Sequence, residues 1–276
     1  MAEGVRFEVA DGVGTIMLDR PDRLNALDLP MHEALEEAVA AAFRADDARV
    51  ILLAGEGRGF CVGADLGLLD SLVARRGADY HMSRPGQVPA RFAGLDGPAE
   101  AMNAYSFPLA LPKPVIAAIN GPCVGVGLVL AASCDLRFMS EDAFLSAAFP
   151  SLGLSAEWGL PWLLTRIAGL GAASDILMSG RRVNAHDALR IGLATRVVPP
   201  DALLAEALDY ARAIAAGAAP RALSLIKRQL QAAATQSFAQ ATTKDYDLLL
   251  ESLAYPDFAE GVAALRETRP ARFSAR

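Results

Sequence analysis

The order of apolar and polar positions predicts a β-hairpin, then alternating helices and strands, then a long helical end. Two short β-rich runs, Val5–Ala10 and Val13–Leu18, flank an Asp-Gly turn. Asp28 can cap a helical pattern that runs to about Arg44. Val50–Ala54 is a short apolar run of the kind found in buried strands. The alternation favours an α/β fold in which parallel strands stack through right-handed crossovers.

The rest of the chain continues this alternation before helices take over. Further strands are predicted at Pro114–Ile119, Leu136–Met139, Ala143–Leu145 and Thr195–Val198. Helices are predicted at Glu100–Leu109, at Leu128–Ala132 and through most of the chain from Leu160 onward. Arg75–Pro98 is rich in Gly, Pro and polar residues and predicts an irregular insertion. We therefore divide the chain into a core, 1–198, and a helical C-terminal region, 199–276.

One apolar stripe in the C-terminal region is typical of a core or subunit-interface helix. Its members are Leu203, Leu204, Ala207, Leu208 and Ala211.

Composition narrows the functional classes. The 276 residues are 53% hydrophobic and 21% charged, which is typical of a globular protein. A net charge of −6 disfavours a nucleic-acid-binding surface, and the longest apolar stretch is broken by glycines and a proline, so no membrane span is expected. The three cysteines and three histidines show no metal-ligand spacing, so we expect no metal site. Reduced cysteines indicate a cytoplasmic location.

Two glycine-rich turns carry the chemistry that the sequence suggests. Each turn leaves a predicted strand and opens a helix, at Gly63-Ala64-Asp65 and at Gly125-Val126-Gly127. The first amide groups of a helix have no intrahelical acceptor and favour an anion or a polarised carbonyl. The N–H groups of Ala64 and Val126 are therefore candidates for an oxyanion hole. Either turn alone is also explained by tight packing, and neither matches a phosphate-binding or dinucleotide-binding loop.

Six motifs in order resemble the crotonase superfamily, also called the enoyl-CoA hydratase/isomerase family. They are Leu18–Leu27, Gly59–Leu66, Lys113–Gly121, Cys134–Arg137, Leu177–Arg182 and Tyr255–Leu265. The resemblance covers about Val5 to Phe273, apart from the insertion. It implies a crotonase-like spiral of β-β-α units with a helical C-terminal trimerisation region, assembled as a homotrimer or a dimer of trimers. It also implies an acyl-CoA substrate, with no bound cofactor other than the coenzyme A of that substrate.

The resemblance also assigns binding residues. Ala64 and Val126 match the backbone donors of the family's oxyanion hole. Arg23 and Leu24 match the loop that meets coenzyme A, and Phe258 matches the tail that covers its nucleotide. Three nearby arginines are similar to that tail, although a solvated helix face explains them equally: Arg266, Arg269 and Arg272.

The family's catalytic acids are where this chain departs from the pattern. The positions of the two hydratase glutamates hold Val129 and Phe149, and neither side chain can transfer a proton. Glu157 falls where isomerase-type relatives carry an acid. It can alternatively cap the following helix or pair with a surface arginine. Asp65 is better explained as a helix cap, and Asp135 as a buried structural acid.

The sequence thus favours an acyl-CoA enzyme of lipid metabolism that stabilises a thioester enolate. A single acid, Glu157, predicts double-bond isomerisation over classical hydration. The alternatives are a non-catalytic acyl-CoA-binding protein, or a lyase or hydrolase that uses groups from Arg75–Tyr105. Four residues in or near the insertion are candidates for a second functional group, with solvated-loop roles as the alternative: His81, Asp96, Glu100 and Tyr105.

Overall fold

The computed structural model describes residues 4–74 and 86–274. Residues 75–85 of the predicted insertion, including His81, lie outside those ranges. The described strands are β1 (Val5–Ala10), β2 (Val13–Leu18), β3 (Val50–Gly55), β4 (Val115–Ile119), β5 (Cys123–Val124), β6 (Leu136–Ser140), β7 (Phe144–Ser146), β8 (Val183–Asn184) and β9 (Arg196–Val198). The described helices are α1 (Leu29–Arg44), α2 (Leu66–Ala74), α3 (Phe107–Ala110), α4 (Val126–Ser133), α5 (Leu160–Ser179), α6 (Ala185–Arg190), α7 (Leu203–Gly217), α8 (Pro220–Ala233), α9 (Phe238–Leu253) and α10 (Pro256–Glu267).

The main sheet has six strands in the order β1-β2-β3-β4-β6-β9. The β1–β2 hairpin is antiparallel and pairs Val5 with Leu18, as its Asp-Gly turn predicted. All later neighbours in this sheet are parallel. The carboxyl ends of β2, β3 and β4 therefore meet at one edge, where loops from adjacent strands lie side by side. A second sheet has three strands in the order β5-β7-β8, and its first strand follows β4 along the chain.

Helix α1 forms as its capping signal predicts. The Asp28 side chain accepts a hydrogen bond from the Met31 amide at 2.9 Å. Its apolar stripe, including Leu35 and Val39, is fully buried against the core. The strands and α1 thus follow local sequence and hydrophobic pattern closely.

The predicted helix at Glu100–Leu109 is wrong. This segment contains a single 3-10 turn at Ala99–Ala101, then turns, then the four-residue α3. The Asn103 side-chain oxygen accepts from the amides of Tyr105 and Ser106, both at 2.9 Å. Those bonds hold the backbone in a local turn instead of a helical ladder. The two-residue strands β5 and β8 were too short to be predicted.

Helix α7 covers the other face of the main sheet. Leu203, Ala207 and Ala211 are buried and pack with sheet residues, which confirms the core interpretation of most of their stripe, whereas Leu204 is 43% exposed. The division into 1–198 and 199–276 stays a prediction. Across the described part of the chain, no helix is both long and apolar enough to span a lipid bilayer.

Helix α8 is tied to the core by a buried amine. Lys227 is 6% exposed and donates to the carbonyls of Pro108 and Lys113 and to the Asp135 carboxylate, at 2.6, 2.9 and 2.7 Å. Asp135 also accepts from the Val115 amide, as a structural acid would. The prediction that Asp135 is buried is wrong, because the residue is exposed.

Candidate functional site

The first glycine turn follows β3 and is fixed by neighbours on both sides. The amides of Phe60 and Cys61 donate to the Pro122 carbonyl, and Cys61 accepts from the Val124 amide at 2.9 Å. Gly63 has φ +89°, a conformation that a side chain would strain. On the other side, Leu27 forms an isolated parallel bridge with Ala64 through the flanking groups of Gly63 and Asp65. That pattern turns the Ala64 N–H away from Leu27.

The second glycine turn follows β4, the neighbour of β3. Gly125 has φ +57° and ψ −119°, and Val126 begins α4. The Gly125 amide donates to the Ser146 carbonyl at 3.0 Å, which ties this turn to β7. Gly127 has no room for a side chain, because a Cβ there would collide with the Cys61 carbonyl of the first turn. The close approach of the two turns therefore depends on this glycine.

The two turns place their amides next to each other. A Cβ built on Gly63 would lie 3.7 Å from the Val126 nitrogen. Within the described ranges, neither the Ala64 amide nor the Val126 amide meets a hydrogen-bond acceptor. Two adjacent amides without acceptors, one of them at a helix N-terminus, can bind a carbonyl oxygen and stabilise negative charge on it.

Asp65 supports the first turn as a helix cap. Its carboxylate accepts from the Gly67 amide at 2.9 Å and pairs with Arg20 at 3.2 Å. The hydrogen bond from Gly67, together with the nearby charge of Arg20, holds the pKa of Asp65 below its usual range despite a small opposing effect of desolvation. Asp65 is thus an ionised structural group, as the sequence indicated.

The loop that carries Arg23 and Leu24 leaves β2 at the same edge of the sheet. Leu24 and the following Asn25 both have left-handed backbones, with φ +50° and +57°. The side-chain amide of the buried Asn25 donates to the carbonyls of Glu56 and Gly59, at 3.1 and 2.8 Å. The Val62 amide donates to the Leu24 carbonyl. These bonds fix Leu24 against the first glycine turn and leave the Arg23 side chain exposed beside it.

Phe258 is not brought to this edge within the chain. It is 50% exposed on α10, where it lines an apolar cavity of about 360 Å³ with residues of α8 and α9 such as Ala222 and Leu249. In the described part of the chain, no hydrogen bond or ion pair connects α10 with the Arg23 loop. The role of Phe258 in binding coenzyme A stays a prediction.

The basic residues near Phe258 differ in their surroundings. Arg269 pairs with Glu260 at 2.6 Å and with Glu267 at 2.6 Å. The hydrogen bond from Arg269 and the Arg272 amide hold the pKa of the Glu260 carboxyl at about 2. Arg269 is therefore engaged in a local ion-pair network, whereas Arg266 lies on an exposed stretch of α10.

Glu157 lies on the segment that leaves β7, the strand hydrogen-bonded to the second glycine turn. It is half-buried, and its carbonyl accepts from the Leu160 amide at 3.0 Å at the start of α5. Burial raises the pKa of its carboxyl, partly opposed by the neighbouring Trp158 indole N–H. That indole nitrogen is buried and makes no hydrogen bond of ordinary geometry with the described residues. No ion pair with an arginine is present among the described residues, against the alternative that Glu157 serves a surface pair.

The two positions that lack acids are both apolar and buried. Val129 is 0% exposed on α4, one turn after Val126. Phe149 is 5% exposed and precedes the 3-10 turn Pro150–Leu152. Both residues belong to the core cluster that Trp158 packs against.

Tyr105 is the insertion candidate that the structure brings into the core. Asp96 and Glu100 are exposed, whereas Tyr105 is 1% exposed. Its ring packs edge-on against Trp158, with ring centroids 5.1 Å apart. Its hydroxyl lies 2.8 Å from Nδ1 of His32 on α1. Sequence reasoning missed His32, because nothing local links two residues that lie 73 positions apart.

Comparisons with known proteins all indicate the same family. The family model described as enoyl-CoA hydratase/isomerase matches residues 8–86 and 98–276. The internal gap in this match, residues 87–97, falls inside the predicted insertion. The 1,2-epoxyphenylacetyl-CoA isomerase of Escherichia coli K12 is 33% identical over 277 residues, covering 99% of each chain.

Further relatives agree. A protein named as a probable enoyl-CoA hydratase of Mycobacterium tuberculosis H37Rv is 34% identical over 282 residues, covering 99% of this chain and 92% of its own length. A crystal structure of an enoyl-CoA hydratase from Bacillus anthracis superimposes with a TM-score of 0.84 at 28% identity, covering 99% of this chain and 100% of that one. These matches agree with the crotonase-like fold that the sequence motifs implied.

Proposed function

Because the chain belongs to the enoyl-CoA hydratase/isomerase family, we propose that it binds an acyl-CoA thioester and moves a double bond within the acyl group. The adjacent amides of Ala64 and Val126 hold the thioester oxygen. The Glu157 carboxylate is the acid–base group. The observation that carries the proposal is one half-buried carboxyl of raised pKa on the segment that follows β7, the strand whose Ser146 carbonyl accepts from the Gly125 amide next to Val126.

The amide pair lowers the barrier to forming an enolate. When a base removes a proton from Cα, negative charge develops on the thioester oxygen. Two fixed N–H donors stabilise that charge, and removal of one donor of this kind costs about 3 kcal/mol in known cases. The N-terminus of α4 adds its positive dipole end to the Val126 donor.

A single carboxyl suffices for isomerisation. Glu157 removes a proton from Cα of a 3-enoyl thioester, and the electron pair delocalises onto the thioester oxygen and, through the adjacent double bond, onto Cγ. The protonated Glu157 then returns the proton to Cγ, so that the double bond lies between Cα and Cβ and the enzyme is regenerated. Hydration would need a group that orients and deprotonates water, and the side chains of Val129 and Phe149 offer none.

Coenzyme A would lie along the carboxyl edge of the sheet. The exposed guanidinium of Arg23 can pair with its phosphates, and Leu24 flanks the same groove. Phe258 would reach the nucleotide from a neighbouring subunit of a homotrimer or dimer of trimers. This placement agrees with the lack of a hydrogen bond or ion pair between α10 and the Arg23 loop among the described residues. The metabolic role that fits is processing of unsaturated acyl-CoA in lipid metabolism.

A panel of acyl-CoA substrates tests the proposal. We expect 3-hexenoyl-CoA to be converted to 2-hexenoyl-CoA and little 3-hydroxyacyl-CoA to form from 2-hexenoyl-CoA. The panel should include an arylacetyl-CoA epoxide, since a relative is named for that substrate. Free thiol release would report thioester hydrolysis, a shorter acyl-CoA product would report C–C cleavage, and tight binding without any turnover would indicate a non-catalytic binding protein.

The Glu157→Gln substitution identifies the acid. It keeps the shape of the side chain but removes the proton carrier, so kcat should fall by about 10²- to 10⁴-fold. Glu141→Gln is the matched control, because Glu141 is an exposed glutamate on the turn after β6. Unchanged turnover in Glu157→Gln would exclude Glu157 as the acid–base group.

A further inference from the structure

A chain of polar side chains runs from the surface of α1 to the ring of Trp158. Arg91 pairs with Glu36 at 3.0 Å, and Glu36 lies 3.5 Å from Nε2 of His32. Nδ1 of His32 lies 2.8 Å from the Tyr105 hydroxyl. The Tyr105 ring then packs edge-on against Trp158, the residue that follows Glu157.

The charge of Glu36 determines which groups along this chain donate hydrogen bonds and which accept them. Burial alone would raise the pKa of Glu36, but hydrogen bonding and charge from His32 and Arg91 lower it below its usual range. An ionised Glu36 favours the tautomer in which Nε2–H of the imidazole donates a hydrogen bond to its carboxylate. In the neutral ring Nδ1 is then the acceptor, and the Tyr105 hydroxyl donates to it. The phenol is thereby held in one orientation.

The segment that Tyr105 supports has an unusual backbone. Trp158 has φ +51°, which a bulky residue rarely adopts, and Gly159 follows with φ +74°. Such a conformation persists when surrounding contacts hold it. The Tyr105 ring supplies one of those contacts, and the indole N–H of Trp158 in turn influences the Glu157 carboxyl.

We propose that His32 and Tyr105 are positioning residues, which hold Trp158 in its left-handed turn and so set the place of the Glu157 carboxyl. Packing alone would not require a hydroxyl and an imidazole at this point. Tyr105 is 1% exposed, and a buried polar group is tolerated when it is hydrogen-bonded. A phenylalanine would fill the same space without a partner on α1.

The catalytic part of this inference rests on the proposed role of Glu157, whereas the structural part does not. Trp158 and Trp162 are the two tryptophans of the chain. In a Trp162→Phe background, fluorescence therefore reports Trp158 alone. This signal needs no substrate and separates the two ideas.

The test compares Tyr105→Phe, His32→Ala and the double variant in that background. We expect each to shift the Trp158 emission and to increase its quenching by acrylamide. With 3-hexenoyl-CoA, we expect kcat to fall about tenfold, the equivalent of about 1.4 kcal/mol, while KM changes less than about twofold. The double variant should resemble each single variant, because either change removes the same hydrogen bond.

Tyr210→Phe is the matched control, since that tyrosine packs on Phe138 at the other face of the sheet, with ring centroids 5.4 Å apart. The inference is overturned if Trp158 emission and quenching are unchanged in Tyr105→Phe and His32→Ala, or if Tyr210→Phe alters them equally. A changed emission together with full activity of Glu157→Gln would uphold the structural part and reject the proposed function.

Discussion

The two glycine turns and the segment around Glu157 are held in different ways. The turns are bound to each other by backbone hydrogen bonds, such as Val124 to Cys61, and by the absence of a side chain at Gly127. The Glu157 segment has mostly exposed residues before it and a left-handed Trp158 after it. Its position depends on side-chain contacts with Tyr105 and the apolar core.

This difference separates carbonyl binding from proton transfer. Backbone donors are retained through almost any side-chain substitution at Ala64 or Val126. Proton transfer needs a particular side chain at a particular place, so under our proposal the apolar Val129 and Phe149 would change the reaction without altering the backbone amides. A family that shares one binding device can thus support several reactions.

The strongest test of the backbone half is Val126→Pro. Val126 is the first residue of α4, where proline is tolerated because its amide has no intrahelical acceptor. The substitution removes one donor to the thioester oxygen, so kcat should fall by about 10²- to 10³-fold. Circular dichroism should show that the helices remain. Val126→Ala is the control: it keeps the donor and should alter kcat only slightly. Equal losses in the two variants would contradict a backbone donor at this position.

The contact between the turns can be tested with Gly127→Ala. The added methyl group would collide with the Cys61 carbonyl, and overpacking of this kind costs about 1–3 kcal/mol. Thermal denaturation should show a lower Tm, with activity reduced as the amides separate. Gly171→Ala on α5 is the matched control, because a Cβ there meets no atom within 4 Å and alanine favours a helix. A Tm unchanged by Gly127→Ala would mean that the turns are not in tight contact.

The pH dependence of activity tests the role of the Glu157 side chain. The pKa of Glu157 is raised by burial, and the base form is the one that removes a proton. We therefore expect kcat/KM to fall as the pH drops through a value above the ordinary pKa of 4.5 for a glutamate. A profile that stays flat down to that ordinary value would contradict a desolvated base.

The protonation of Glu157 should also affect the stability of the fold. Its contribution to stability decreases as the pH rises, whereas kcat/KM increases. A raised folded-state pKa means that the folded protein binds the proton more tightly than the unfolded chain. The stabilisation from protonated Glu157 is complete below the unfolded pKa and is lost as the pH rises through the folded one. Chemical denaturation should therefore show that Glu157→Gln gains stability relative to the native chain on going from acidic to neutral pH.

Local patterns predicted much of the fold because their causes are local. The Asp-Gly turn and alternating apolar positions specify β1 and β2, and Asp28 caps α1 where expected. The predicted helix at Glu100–Leu109 failed because Asn103 captures two amides, a competition between side chain and helix that composition does not reveal. Among the described residues, no hydrogen bond or ion pair joins the Arg23 loop to α10, the helix that carries Phe258.

The sequence by itself determined the strand order of the hairpin, the glycines that permit both turns, and the apolar side chains of Val129 and Phe149. These follow from backbone freedom and side-chain chemistry at single positions. Only the tertiary structure decided that β3 and β4 are parallel neighbours, which brings Ala64 and Val126 together at one edge. It alone also joined His32 to Tyr105 and Tyr105 to Trp158, because contacts between distant residues depend on how whole elements pack.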